Sequence, residues 1–192
     1  MHLFILESYI SLDTLTPIIN FLNPKKITVC NVNAIQNYRE DRLLKYLLNK
    51  KIKYLNFVPI SHEKKIIFFF VRLISLLPCV FQKKFQFFWN YIYHKYNFSS
   101  KELIKDFLIK NNIMSVTYDS ACRHCIKEFY FAAKDLNIPV IHVANGIDID
   151  FKKPKYSDES VKFCNYYLSA NKTRGENKRN INFKVKYLGS AR

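Results

Sequence analysis

The stretch "IMSVTYDSACRHCIKEFYFAAKDLNIPVIHVA", residues 113–144, decides the fold. Residues 113–119 mix β-branched and aromatic side chains and end in Asp119, so they read as a strand. A helix is expected over about 121–136, and Pro139 then opens a second apolar strand over 139–144. A strand, a crossover helix and another strand form a unit whose two strands lie parallel.

The same alternation extends in both directions. Toward the amino terminus, strands are expected at 2–7, 26–32 and 52–57. Between them fall a helix over 11–23, capped by Ser11 or Asp13, and a helix over about 34–50 with Leu43, Leu44, Leu47 and Leu48 on one face. Ser99 with Glu102 forms a capping box ahead of another helix. Toward the carboxyl terminus, 163–169 and 183–189 read as strands. Apolar strands alternating with helices predict an α/β, Rossmann-like fold: a mostly parallel sheet with helices on both faces. At 192 residues a single domain is expected over 1–192. "LESYISLD", residues 6–13, has no glycine where a dinucleotide-binding turn needs several.

Residues 62–97 interrupt the alternation. They are apolar and aromatic, with lysine pairs at Lys64–Lys65 and Lys83–Lys84. The apolar run 66–81 contains Arg72 and Pro78 and is shorter than the ~20 residues a spanning helix needs. One reading is a pair of helices packed over the sheet with their lysines in solvent. The other is an interfacial patch, in which Phe68, Phe69 and Trp89 enter beneath lipid headgroups while Lys64, Lys65, Arg72, Lys83 and Lys84 meet anionic lipid.

The formal charge is +16, which suits a polyanionic partner. Yet the cations are 24 Lys against 7 Arg, beside 21 Ile and 18 Asn, a profile of coding bias. Arg is the residue suited to bidentate phosphate and guanine contacts, so its scarcity argues against a nucleic-acid-binding α/β module. That module stays as the rival from another class, marked by a steep salt dependence. Five cysteines at irregular spacing and no secretory signal fit an intracellular chain with reduced thiols.

Several residues carry candidate chemistry. Cys122 and Cys125 form a C-x-x-C beside Arg123 and His124, a spacing open to a low-pKa redox thiol or to two small apolar side chains. Glu7 and Ser8 end the first strand, at the carboxyl edge where ligands of α/β sheets bind. Glu7 suits a general base near an acceptor hydroxyl, and equally a turn cap or lysine partner. Asp119 and Ser120 end a later strand at the same edge, where one of them caps the following helix and where Arg123 adds positive charge. His142, alternating with Val140, reads as a core histidine. Asn145 and Gly146 suit a turn, and Gly146 also admits a ligand against the backbone.

"FAAKDLNIPVIHVANGID", then "YSDESVKFCNYYLSANKTRGE", then "VKYLGSAR" together resemble the amino-terminal half of GT-B-like glycosyltransferases of bacterial capsule and surface-polysaccharide synthesis. The family's His-Gly turn has Asn145 in place of its histidine, so proton transfer by an imidazole there is lost. The resemblance implies one half of a GT-B architecture: an acceptor-side domain with an insertion at about 62–97 and a carboxyl-terminal donor-binding domain missing. It implies transfer of a sugar from a nucleotide donor to a glycan or lipid-linked acceptor, with the chain inactive alone. The alternatives within the fold are half of a sugar-nucleotide epimerase or of a polyol-phosphate transferase. Glu7 is the expected catalytic residue, with Ser8, Asp119, Ser120, Arg123, Asn145 and Gly146 contacting substrate. No cofactor or metal is implied, and the expected location is cytoplasmic, peripheral on the inner face of the membrane.

Overall fold

The structure, a computed structural model, describes residues 1–33, 41–60, 66, 69, 99–119, 125–144, 162–169 and 184–187. Among the described residues seven strands form one sheet: β1 (His2–Leu6), β2 (Ile27–Asn31), β3 (Lys53–Asn56), β4 (Ser115–Asp119), β5 (Val140–Val143), β6 (Tyr166–Ser169) and β7 (Lys184–Tyr187). Their spatial order is β3-β2-β1-β4-β5-β6-β7, and every neighbouring pair is parallel. The described helices are α1 (Tyr9–Asn20), α2 (Arg42–Asn49), α3 (Lys101–Lys110) and α4 (Ile126–Asp135).

Period-2 alternation along the strands divides the core into two layers. Leu3, Ile5, Val116, Tyr118 and Val140 face Ile104 and Leu108 of α3 and Phe129 and Ala133 of α4. Phe4, Leu6, Ile27 and Val29 face Leu12, Leu15 and Ile19 of α1 and Leu44 and Leu47 of α2. Burial on both faces is what makes these strands read as continuous apolar runs. The expected doubly wound α/β fold is therefore the observed one.

Local boundaries differ from the expected ones where several serines compete to cap a helix. α1 begins at Tyr9 rather than at 11, with Ser8 as an extended N-cap (φ −144°). Ser11 does not cap; it is fully buried inside the helix. α3 is capped by Ser100, not Ser99: Ser100 Oγ accepts from the Leu103 N–H at 3.3 Å. Ser99 instead forms an antiparallel bridge with Ile60. α2 is described from Arg42, where Asp41 Oδ1 accepts from the N–H groups of Leu43 (2.8 Å) and Leu44 (3.2 Å). Leu48, expected on its apolar face, is 42% exposed.

Gly is scarce, and the helix exits show the consequence. Lys51, Asn112 and Asn137 follow α2, α3 and α4 with φ of 61°, 50° and 56°. This is the left-handed conformation that ends many helices and that glycine takes without a Cβ clash. Asn tolerates it; Lys51 does so at a cost.

Candidate functional site

β1 and β4 are neighbours, yet the chain reaches β4 only after building β2 and β3 on the other side of β1. That reversal is the topological switch point, the crevice where open α/β sheets bind ligands. Glu7 and Ser8 follow β1 there. The β1–β4 register runs from His2↔Ser115 to Phe4↔Thr117. Continued in phase, it sets Leu6 beside Asp119, so the ends of both strands meet at one edge.

Glu7 is 4% exposed and Asp119 is fully buried. Ser11, one turn into α1, donates its hydroxyl to Asp119 Oδ1 at 2.8 Å. The bond ties the start of α1 to the end of β4. Asp119 thus engages α1, where helix capping was one of the expectations for it. Ser8 makes no side-chain capping bond, and its Oγ lies 3.5 Å from Ser11 Oγ. The amino end of α1, with its partial positive charge, opens on the same edge.

An amide network extends the edge toward β3. Asn33 Nδ2 donates to the Glu7 carbonyl at 2.9 Å, and the Asn33 N–H donates to Asn31 Oδ1 at 2.9 Å. Asn31 Nδ2 and Tyr54 Oη both donate to Asn56 Oδ1, at 3.2 and 3.0 Å. The sequence does not single these residues out, because Asn is common throughout it and only the register brings Asn31 opposite Asn56. Ser11, expected as a cap, is instead a donor to Asp119.

Ser120, Arg123, Asn145 and Gly146 lie outside the described residues, as do Lys64, Lys65, Phe68, Arg72, Lys83, Lys84 and Trp89. Phe69 is described and is 61% exposed, with Ile66 at 72%. The described part of the site is therefore Glu7, Ser8 and Asp119. His142 is fully buried, between the rings of Tyr118 and Tyr167 at centroid distances of 4.9 and 5.0 Å. The core reading of this histidine holds.

Cys125 is fully buried at the N-cap of α4. Burial pushes its thiol pKa well up, with Glu128 and Cys30 adding in the same direction. Burial also pushes Cys30 up to about 12. The depressed pKa of a redox C-x-x-C belongs to its attacking cysteine, here Cys122, which lies outside the described residues. Among the described residues no cluster of three or more His, Cys, Asp or Glu is placed to hold a metal ion. Nor is any helix there long and apolar enough to cross a membrane.

No protein-family profile matches the chain, and no curated protein does. Solved structures do match. UDP-GlcNAc 2-epimerase from Methanocaldococcus jannaschii superimposes with a TM-score of 0.51 at 17% identity, covering 99% of this chain and 46% of that one. Glycyrrhiza uralensis UGT73P12, complexed with glycyrrhetinic acid 3-O-monoglucuronide, gives a TM-score of 0.50 at 10% identity, covering 99% and 48%. The chain thus spans less than half the length of either structure. At such identities the likeness concerns the fold, and the fold is a GT-B-like half.

Proposed function

We propose that the chain is the acceptor-side half of a GT-B-type glycosyltransferase of surface-polysaccharide synthesis. The observation that carries the reading is the switch-point edge between β1 and β4, where buried Glu7 follows β1 and the hydroxyl of Ser8, which caps nothing, lies beside the Ser11–Asp119 bond. In this reading Glu7 takes the proton from an acceptor hydroxyl as its oxygen bonds to the anomeric carbon of a nucleotide-sugar, whose bond to the phosphate oxygen breaks and releases the nucleotide. Positioned general bases of this kind contribute about 10²–10⁴-fold. Ser8 and Asp119 orient the acceptor, and Ser120, Arg123, Asn145 and Gly146 complete its surroundings. A second domain holds the nucleotide.

The fold neighbours include an epimerase, so half of a sugar-nucleotide epimerase is the second reading. Saturation-transfer NMR separates the two. The acceptor half binds neutral saccharides such as N-acetylglucosamine oligomers, loses them on Glu7→Gln with Ser8→Ala, and is indifferent to UDP. Saturation of UDP resonances without any of the saccharides would overturn the acceptor assignment.

A further inference from the structure

The opposite edge of the sheet carries a different chemistry. In a parallel sheet every helix-to-strand connection arrives at the amino-terminal edge, and here three of them are joined. Lys50 Nζ donates to Asn20 Oδ1 and Lys53 Nζ to Asn111 Oδ1, both at 3.0 Å. The Met114 N–H donates to the Met1 carbonyl at 2.7 Å. The connections into β2, β3 and β4 therefore form one continuous rim.

Residues 20–27, 49–54 and 109–115 of that rim hold Lys25, Lys26, Lys50, Lys51, Lys53 and Lys110, and contain no Asp or Glu. The acceptors for Lys50 and Lys53 are neutral amides, and Lys50 Nζ also lies 4.7 Å from the centre of the Tyr46 ring, so neither lysine meets a carboxylate among the described residues. The helix faces differ: on α3 and α4, Lys101 and Lys105 bridge Asp135 at 2.7 and 3.2 Å. Set among the rim lysines are Phe21 (88% exposed), Leu22 (38%), Ile109 (58%) and Met114 (67%). Large apolar side chains this exposed, among cations that meet no carboxylate, suit a partner with a negative surface over an apolar interior.

We propose that the amino-terminal edge docks on an anionic lipid membrane, with Phe21, Ile109 and Met114 entering the interface and the lysines meeting the headgroups. A protein partner fits less well, because protein interfaces are depleted in Lys. Nucleic acid would leave the aliphatic side chains without a role and favours Arg. Ile60 and Ser99, which pair next to the carboxyl end of β3, stand at the other edge. A five-residue β1 holds the candidate site roughly 17 Å from the amino-terminal edge. Resting on the glycosyltransferase reading, docking by this edge selects an acceptor whose growing end stands away from the headgroups.

The test is co-sedimentation of the 192-residue chain with vesicles of phosphatidylcholine and phosphatidylserine at low salt. The double variant Lys25→Gln/Lys26→Gln is expected to bind about 25-fold more weakly, taking roughly five-fold per lysine. Phe21→Ser with Met114→Ser is expected to lose at least about ten-fold. Lys45→Gln/Lys127→Gln removes the same charge from exposed helix positions and is expected to stay within about two-fold, since membrane attraction fades within a Debye length. All these positions are exposed, and circular dichroism verifies that each variant is folded. Equal losses from both lysine pairs, no effect of the rim variants, absence of vesicle binding, or rim-dependent binding to duplex DNA in its place would each overturn the proposal. None of these outcomes involves a sugar, so they leave the acceptor assignment to its own test.

Discussion

Ser11 shows how a single side chain joins the fold to the site. Its hydroxyl is buried and donates to Asp119 across 108 positions of sequence. Ser11→Ala is expected to lower stability by about 1–3 kcal/mol, because a buried carboxylate loses a donor; urea denaturation measures it. The residue type was visible in the sequence as a cap, but the partner was not, since nothing local connects residue 11 to residue 119. The thiols make the second residue-scale prediction. Burial raises the pKa of Cys30 from 9.0 to about 12, and that of Cys125 in the same direction. Between about pH 9 and 12 the unfolded chain releases these protons while the folded chain keeps them, so stability falls as pH rises. The decline is up to about 1.4 kcal/mol per pH unit for each thiol. Stability flat from pH 9 to 11 would contradict this assignment, as would rapid labelling of Cys30 by a thiol reagent at pH 8 in the folded state.

At the scale of elements, hydrophobic pattern located the strands and capping residues blurred their edges. Strands β1, β2, β4 and β5 were legible because both faces are buried, as along Ile27–Asn31, whereas β3, exposed at both ends, was legible from its place in the strand–helix alternation. Helix starts were less so: Ser8, Ser11, Ser99 and Ser100 are all competent caps, and only the packing of Leu12 and Leu15 against the sheet selects Ser8. The exits were invisible to a search for glycine, since Lys51 and two asparagines occupy the left-handed positions. Lys51→Gly relieves a Cβ clash worth about 1–2 kcal/mol. A rise in melting temperature of roughly 2–8 °C is therefore expected. A lower melting temperature would show that this backbone is not strained.

For the whole molecule, the sheet carries a core layer on each face, built on described strands and helices. Ile60 pairs with Ser99, and the Ser100 N–H donates to the Pro59 carbonyl at 2.8 Å. Replacing residues 61–98 by a short Gly-Ser linker should therefore preserve cooperative unfolding, because a shorter loop costs less to close. Leu15→Ala, in the layer under α1, should by contrast cost about 2–5 kcal/mol. The strand-helix order made the architecture readable in advance. Half of the candidate site was readable too, because a strand's last residues fall at the carboxyl edge of any parallel sheet. The Asn31–Asn33–Asn56 network was not, because it depends on register. The central claim is that a saccharide binds at the β1–β4 switch point. Backbone amide chemical shifts, followed through a titration with N-acetylglucosamine oligomers, test it most directly. The account predicts perturbations concentrated at Glu7, Ser8, Asn33 and Asp119, with Lys25, Lys51 and Met114 unchanged. Perturbations confined to the lysine rim, or none at saturating saccharide, would contradict it.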